Sequence, residues 1–126
     1  MAERAGRLIG IEENPLAVED FAENLDAFDN VEVYEAPAEV VMPQLDVKPD
    51  VIVVDPPRTG LALPVLDAIV MMKPGTLAYV SCDPATFARD AKRLKEAGFR
   101  LLRLTPFDLF PQTYHIETIS LWECGD

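Results

Sequence analysis

Four residues in this chain have types and settings that could do chemistry. Cys82 lies in "YVSCDPATFARD", where an apolar run meets the start of a helix. The N–H groups left unpaired in a helix's first turn favour a thiolate, whereas the charge of neighbouring Asp83 opposes one. A thiolate here would be a nucleophile; a neutral thiol would be a small buried hydrophobe, the ordinary fate of a free cysteine. Asp55, in "DVIVVDPPRTGL", stands at the mouth of an apolar run and is followed by two prolines. That setting pre-organises a carboxylate for a polar ligand, or lets it cap its own loop as an Asx turn. Glu117, in "HIETISLW", shares one face of an alternating strand with Ile119 and Leu121. An acid there either reaches the strand end, is buried as a proton acceptor or donor, or lies on an exposed edge. Glu12 follows "RLIGI" and could accept hydrogen bonds from two ribose hydroxyls, as acids at such strand ends do, or be a solvated loop acid. His115 reads as structural and Cys124 as incidental.

These residues must be positioned by elements whose signals are strong. Residues 7–11 read as a buried strand, followed by an Asn14 cap, Pro15 at the first helical position and Val18, Phe21, Leu25 and Phe28 along one helix face. "VEVYE" alternates as a strand, and a short helical turn is expected over residues 38–42. The β-branched run at residues 51–54 predicts a strand buried on both faces, stopped by Pro56 and Pro57. A helix from Pro64 closes at Lys73-Pro74-Gly75, and "TLAYVS" is the next strand. Asp83 caps and Pro84 opens a helix running to about Ala97, with Gly98 just past its end. Two strands, over residues 99–105 and 115–122, finish the chain around "PFDLFPQTY". Alternating strands and helices predict an α/β doubly wound sheet with an antiparallel pair at its C-terminal side. Ligands in such sheets bind at the carboxyl ends of the strands, where Glu12, Asp55 and Cys82 fall.

Composition bounds the rest. A chain of 126 residues suits one compact domain. No apolar run is long enough to span a bilayer, no secretory signal opens the chain, and two cysteines make neither a disulfide framework nor a zinc site, so a reduced cytoplasmic protein without a metal is expected. The net charge is −11, with 13 of the 22 acids in residues 1–50. That balance argues mildly against a phosphate backbone as partner. The basic cluster of Arg89, Lys92, Arg93, Lys95, Arg100 and Arg103 reads first as a solvated helix end.

Together, "GIEENPLAVEDFAEN", "NVEVYEAPAE", "DVIVVDPPRTGL", "YVSCDPATFARD" and "DLFPQTYHIETISLW" resemble the RNA uracil-5-methyltransferase family. The resemblance runs over nearly the whole chain, and the combination of "DPPRTGL", "SCDPATFARD" and "FPQTYHIET" is highly specific. It implies a Rossmann-like class I methyltransferase sheet, S-adenosyl-L-methionine as cofactor and a uridine of ribosomal or transfer RNA as substrate. It also implies roles: Cys82 as the nucleophile that adds to uracil C6, Glu117 as the base that removes the C5 proton, Asp55 lining the cofactor and substrate site, and Glu12 holding the cofactor ribose. A uridine in a duplex would have to be flipped or unpaired to reach such residues. An amino-methyltransferase acting on exocyclic nitrogens shares the proline motif but carries an aromatic residue where this chain has Arg58.

The sequence departs from that family in defined ways. No strand with a glycine-rich loop precedes Arg7, and neither an RNA-binding region nor a four-cysteine iron–sulfur site is present. A family side chain that reaches the adenine falls at Pro37. The expectation is a partial methyltransferase domain over residues 1–126, truncated at its N-terminal strand. The alternative is a non-catalytic fragment of such an enzyme, in which association of copies would cover the apolar gap.

Overall fold

The computed structural model describes residues 2–107 and 116–125. They form two compact units, Met1–Leu45 and Asp46–Asp126.

The first unit is β1 (Leu8–Glu12), α1 (Pro15–Leu25), β2 (Val31–Glu35), α2 (Ala38–Val41) and a 3₁₀ turn at Met42–Gln44. β1 and β2 pair in parallel, with Leu8 opposite Val31 and Glu12 opposite Glu35. Asn14 caps α1 as expected, its side-chain oxygen accepting from Leu16 N at 3.0 Å. Gly10 lets α1 approach the strand: a Cβ there would sit 2.8 Å from the Phe21 ring. The predicted helix face stops at Leu25, so Phe28 lies beyond α1.

The second unit is β3 (Val51–Val54), α3 (Leu63–Met72), β4 (Thr76–Ser81), α4 (Pro84–Glu96), β5 (Phe99–Phe107) and β6 (Glu117–Cys124). Its sheet has the order β3-β4-β6-β5. β3 and β4 are parallel, whereas β6 runs antiparallel to both β4 and β5. The expected antiparallel pair is therefore present, but β6 lies inside the sheet and β5 forms its edge. The joining segment, residues 108–115 with His115, lies outside the described residues.

The core of this unit lies on one face of the sheet. Leu77 and Tyr79 of β4 stand opposite Trp122 and Ser120 of β6, and all four are essentially inaccessible. Phe87 of α4 meets Tyr79 edge-on at 5.4 Å and tilts against Trp122 at 6.5 Å. Leu94 and Ile69 are fully buried as well, and Leu61, Val65, Leu66 and Phe99 are nearly so; burying an aliphatic or aromatic side chain of this size contributes about 1.5–3 kcal/mol each. The expectation that β3 is buried on both faces is corrected: Val51 and Val53 are 57% and 51% exposed. β3 is an edge strand, and α4 covers the opposite face of the sheet, the one carrying Leu77 and Tyr79.

Candidate active site

Asp55, Cys82 and Glu117 are brought to one end of the second unit's sheet. β3 and β4 are parallel, so the residues following them, Asp55 and Cys82, emerge at the same end. β6 is antiparallel, so its first residue, Glu117, starts there. The last ladder pair is Ser81 with Thr118; one step further along the register sets Cys82 opposite Glu117. Neighbouring strands are about 4.8 Å apart, so Glu117 is level with Cys82, whereas the β3–β4 register places Asp55 beside Val80, two residues short of Cys82 along the strand. Cys82 and Glu117 are half-buried and Asp55 is exposed. Of the openings left for Glu117 by the sequence, the strand end is the one realised.

Local hydrogen bonding fixes the turn around Cys82. Ser81 Oγ donates to Asp83 O at 3.0 Å. Asp83 Oδ1 accepts from Ala85 N at 2.9 Å and Thr86 N at 3.0 Å, capping α4. Those bonds, Thr86 first, hold the Asp83 carboxyl below the usual range. They also consume the helix-terminal N–H groups that the sequence seemed to offer Cys82: the cap acid takes them itself.

The loop bearing Asp55 is tied to α4 at three points. It turns at Pro57–Gly60, where Gly60 N donates to Pro57 O at 2.9 Å and Gly60 has φ +78°. Thr86 Oγ1 donates to Arg58 O at 2.8 Å, and Arg89 Nη2 donates to Thr59 O at 2.8 Å. Asp90 Oδ2 accepts from Leu61 N at 2.8 Å. Sequence reading missed Asp90, although a signal existed. It lies between Phe87 and Leu94, three residues from one and four from the other, inside the apolar stripe of the helix.

In the first unit, Glu12 ends β1, is exposed, and its Oε1 accepts from Asn14 N at 2.9 Å. Toward the other end of the β1–β2 pair, Arg7 Nε donates to Glu32 Oε1 at 2.6 Å on the surface. That pairing raises the Arg7 pKa and lowers that of Glu32. The basic cluster is less free than the sequence suggested. Arg89 and Arg93 approach Asp90, Lys92 approaches Glu96, and Arg100 pairs with Glu123. Among the described residues, no helix is long and apolar enough to cross a membrane.

Comparison with known proteins identifies the family and the fold. The profile of the tRNA (uracil-5-)-methyltransferase family matches residues 12–123. An uncharacterized RNA methyltransferase of Lactococcus lactis is 44% identical over 125 residues, covering 95% of this chain and 27% of that protein. One from Oceanobacillus iheyensis is 42% identical, with the same coverage of 95% and 27%. The chain thus spans about a quarter of the length of these curated relatives. Among solved structures, the tRNA (uracil-54, C5)-methyltransferase of Pyrococcus abyssi, in complex with S-adenosyl-L-homocysteine, superposes with a TM-score of 0.80 at 34% identity, over 96% of this chain and 30% of that one. An rRNA methylase from Streptococcus thermophilus shares the fold, with a TM-score of 0.77 at 13% identity over 99% of this chain and 77% of its own. With a Rossmann-like fold, and with a family match that takes in every candidate residue from Glu12 to Glu117, the chain belongs to the tRNA (uracil-5-)-methyltransferase family.

Proposed function

We propose that this chain carries the reacting groups for S-adenosyl-L-methionine-dependent methylation of uracil C5 in RNA. The carrying observation is that Asp55, Cys82 and Glu117 share one sheet end in a chain of this family. Uracil C5 is a poor nucleophile until something adds at C6. The Cys82 thiolate forms a bond to C6, and the C5=C6 π pair moves toward C5 and the adjacent carbonyl as an enolate. C5 then accepts a methyl group. Glu117 removes the proton left on C5, the electron pair re-forms C5=C6, and the S–C6 bond breaks to return the thiolate. The position of this acid at the start of the strand neighbouring β4 supports that role.

An exposed strand-end carboxylate supports a cofactor role for Glu12. S-adenosyl-L-methionine, when bound, would supply an electrophilic methyl on its sulfonium, the sulfur keeping the C–S bonding pair and leaving as a neutral thioether. Glu12 is an exposed carboxylate at a strand's carboxyl end, with acceptor capacity beyond its bond to Asn14 N, and would take ribose hydroxyls. Asp55, within the second unit, would line the reacting end of its own sheet from the end of β3. The substrate is a uridine free of its stack, because duplexed C6 is out of a thiol's reach.

Incubation with RNA containing 5-fluorouridine and the cofactor tests this reading, since fluorine at C5 blocks the final elimination. A denaturation-resistant protein–RNA adduct is expected, absent from Cys82→Ala. With ordinary uridine, Glu117→Gln should accumulate the same adduct. Equal adduct yield in Cys82→Ala defeats the assignment. Calorimetric titration with S-adenosyl-L-methionine separates it from the non-catalytic alternative, which expects no binding.

A further inference from the structure

We propose that Asp90 is a positioning residue that locks the loop carrying Asp55 onto the helix following Cys82. Asp90 is fully buried, yet it is an acid in the core-facing stripe of α4. A buried carboxylate is retained only where every lone pair has a donor. Here Oδ2 accepts from Leu61 N at 2.8 Å and from Tyr79 Oη at 2.7 Å. Oδ1 accepts from Arg89 Nε and Nη2, both at 3.1 Å. Arg93 Nη1 adds charge at 3.9 Å.

Each partner belongs to a piece of the site. Leu61 closes the 55–61 loop, Tyr79 lies three residues before Cys82 in β4, and Arg89 clamps Thr59 O from α4. One side chain therefore joins the Asp55 loop, the Cys82 strand and the helix between Cys82 and β5. Burial, then the bond to Asp90, raises the Tyr79 pKa, so its hydroxyl stays a donor. The fit is close on the loop side: a Cβ on Gly60 would lie 2.7 Å from Asp90 Oδ2 and 2.5 Å from Arg89 Nη2. Asp90 touches no reacting atom in this scheme. It acts through the loop, by holding Asp55 and Cys82 in one frame.

The claim rests on the proposed function only for its effect on methyl transfer, so two readouts are needed. Amide exchange by NMR tests the lock alone. Asp90→Ala should speed exchange of the Leu61 amide about ten-fold, while Trp122 in the β4–β6 ladder changes by less than about two-fold. Asp90→Asn, whose one oxygen can still face Leu61 and Tyr79, should fall between. Should Asp90→Ala not fold, Arg89→Ala, which severs the bonds to Oδ1 and to Thr59 O, is read the same way. An unchanged Leu61 amide, or uniform acceleration across the unit, overturns the lock. In transfer assays kcat should fall about ten- to a hundred-fold with KM for RNA nearly constant, partly restored by Asp90→Asn. A loosened Leu61 with unchanged kcat overturns the positioning role. A wild-type protein that forms no adduct defeats the catalytic reading instead, and the exchange data then decide the lock by themselves.

Discussion

The two units hold their strand-end acids in opposite ways. In the first, Glu12 sits beside a helix, α1, that buries none of its residues, and an ion pair of that unit, Arg7 with Glu32, is on the surface. In the second, the loop of Asp55 is bonded to a helix whose acid is fully buried and whose apolar side meets Tyr79 and Trp122. A group that holds a cofactor's hydroxyls tolerates adjustment, since hydrogen-bond acceptors work over a range of directions. A thiol that must meet a carbon at bonding distance does not. On the roles proposed above, the more tightly bonded unit is the one that would make and break bonds.

That contrast can be broken experimentally, most severely first. Trp122→Ala, in the fully buried layer against Phe87, should cost about 3–5 kcal/mol, read as a lowered urea midpoint. Gly60→Ala places a Cβ against Arg89 and Asp90 at a φ of +78°; a loss of about 1–3 kcal/mol is expected, with faster exchange at Leu61. Gly10→Ala meets only the far edge of the Phe21 ring at ordinary φ, so a smaller loss of roughly 1 kcal/mol is expected by the same denaturation. A Gly10 effect exceeding that of Gly60 would reverse the ranking of the two units.

Smaller effects follow from the charged groups. Asp83 has a folded pKa below its ordinary value of 3.8, so its cap stabilises fully above pH 3.8 and weakens as pH falls through the lower folded value. Asp83→Asn keeps a capping oxygen without that titration. The stability difference between wild type and Asp83→Asn should therefore shrink on acidification below 3.8, in parallel urea titrations. Arg7→Ala should change the melting temperature least of all, because its partner Glu32 is exposed and the pair is screened by salt.

Much of the fold was legible because its signals are local. Asn14-Pro15 and Asp83-Pro84 mark helix starts through capping and a fixed φ, and Gly98, at φ +97°, marks an end. The site was partly legible for the same reason: Asp55 and Cys82 follow apolar runs and stand at strand ends. Composition misled about charge, since a count of bases does not reveal that Arg89 and Arg93 are turned toward Asp90. Burial of β3 was over-read, because a β-branched run reports strand propensity but not how many neighbours the strand acquires.

By itself, then, the sequence determined the order of elements, the strand-end acids and thiol, and the family. Those depend on residues close in the chain or on motifs read whole. Only the tertiary structure decided that β6 enters the sheet beside β4, which sets Glu117 opposite Cys82. Strand pairing is a contact between distant segments, chosen by the shared burial of Tyr79, Ser120 and Trp122 rather than by any local preference. It alone decided the place of Asp90 too, since a carboxylate enters a core only where folding brings it enough donors, and these come from Leu61, Tyr79 and Arg89.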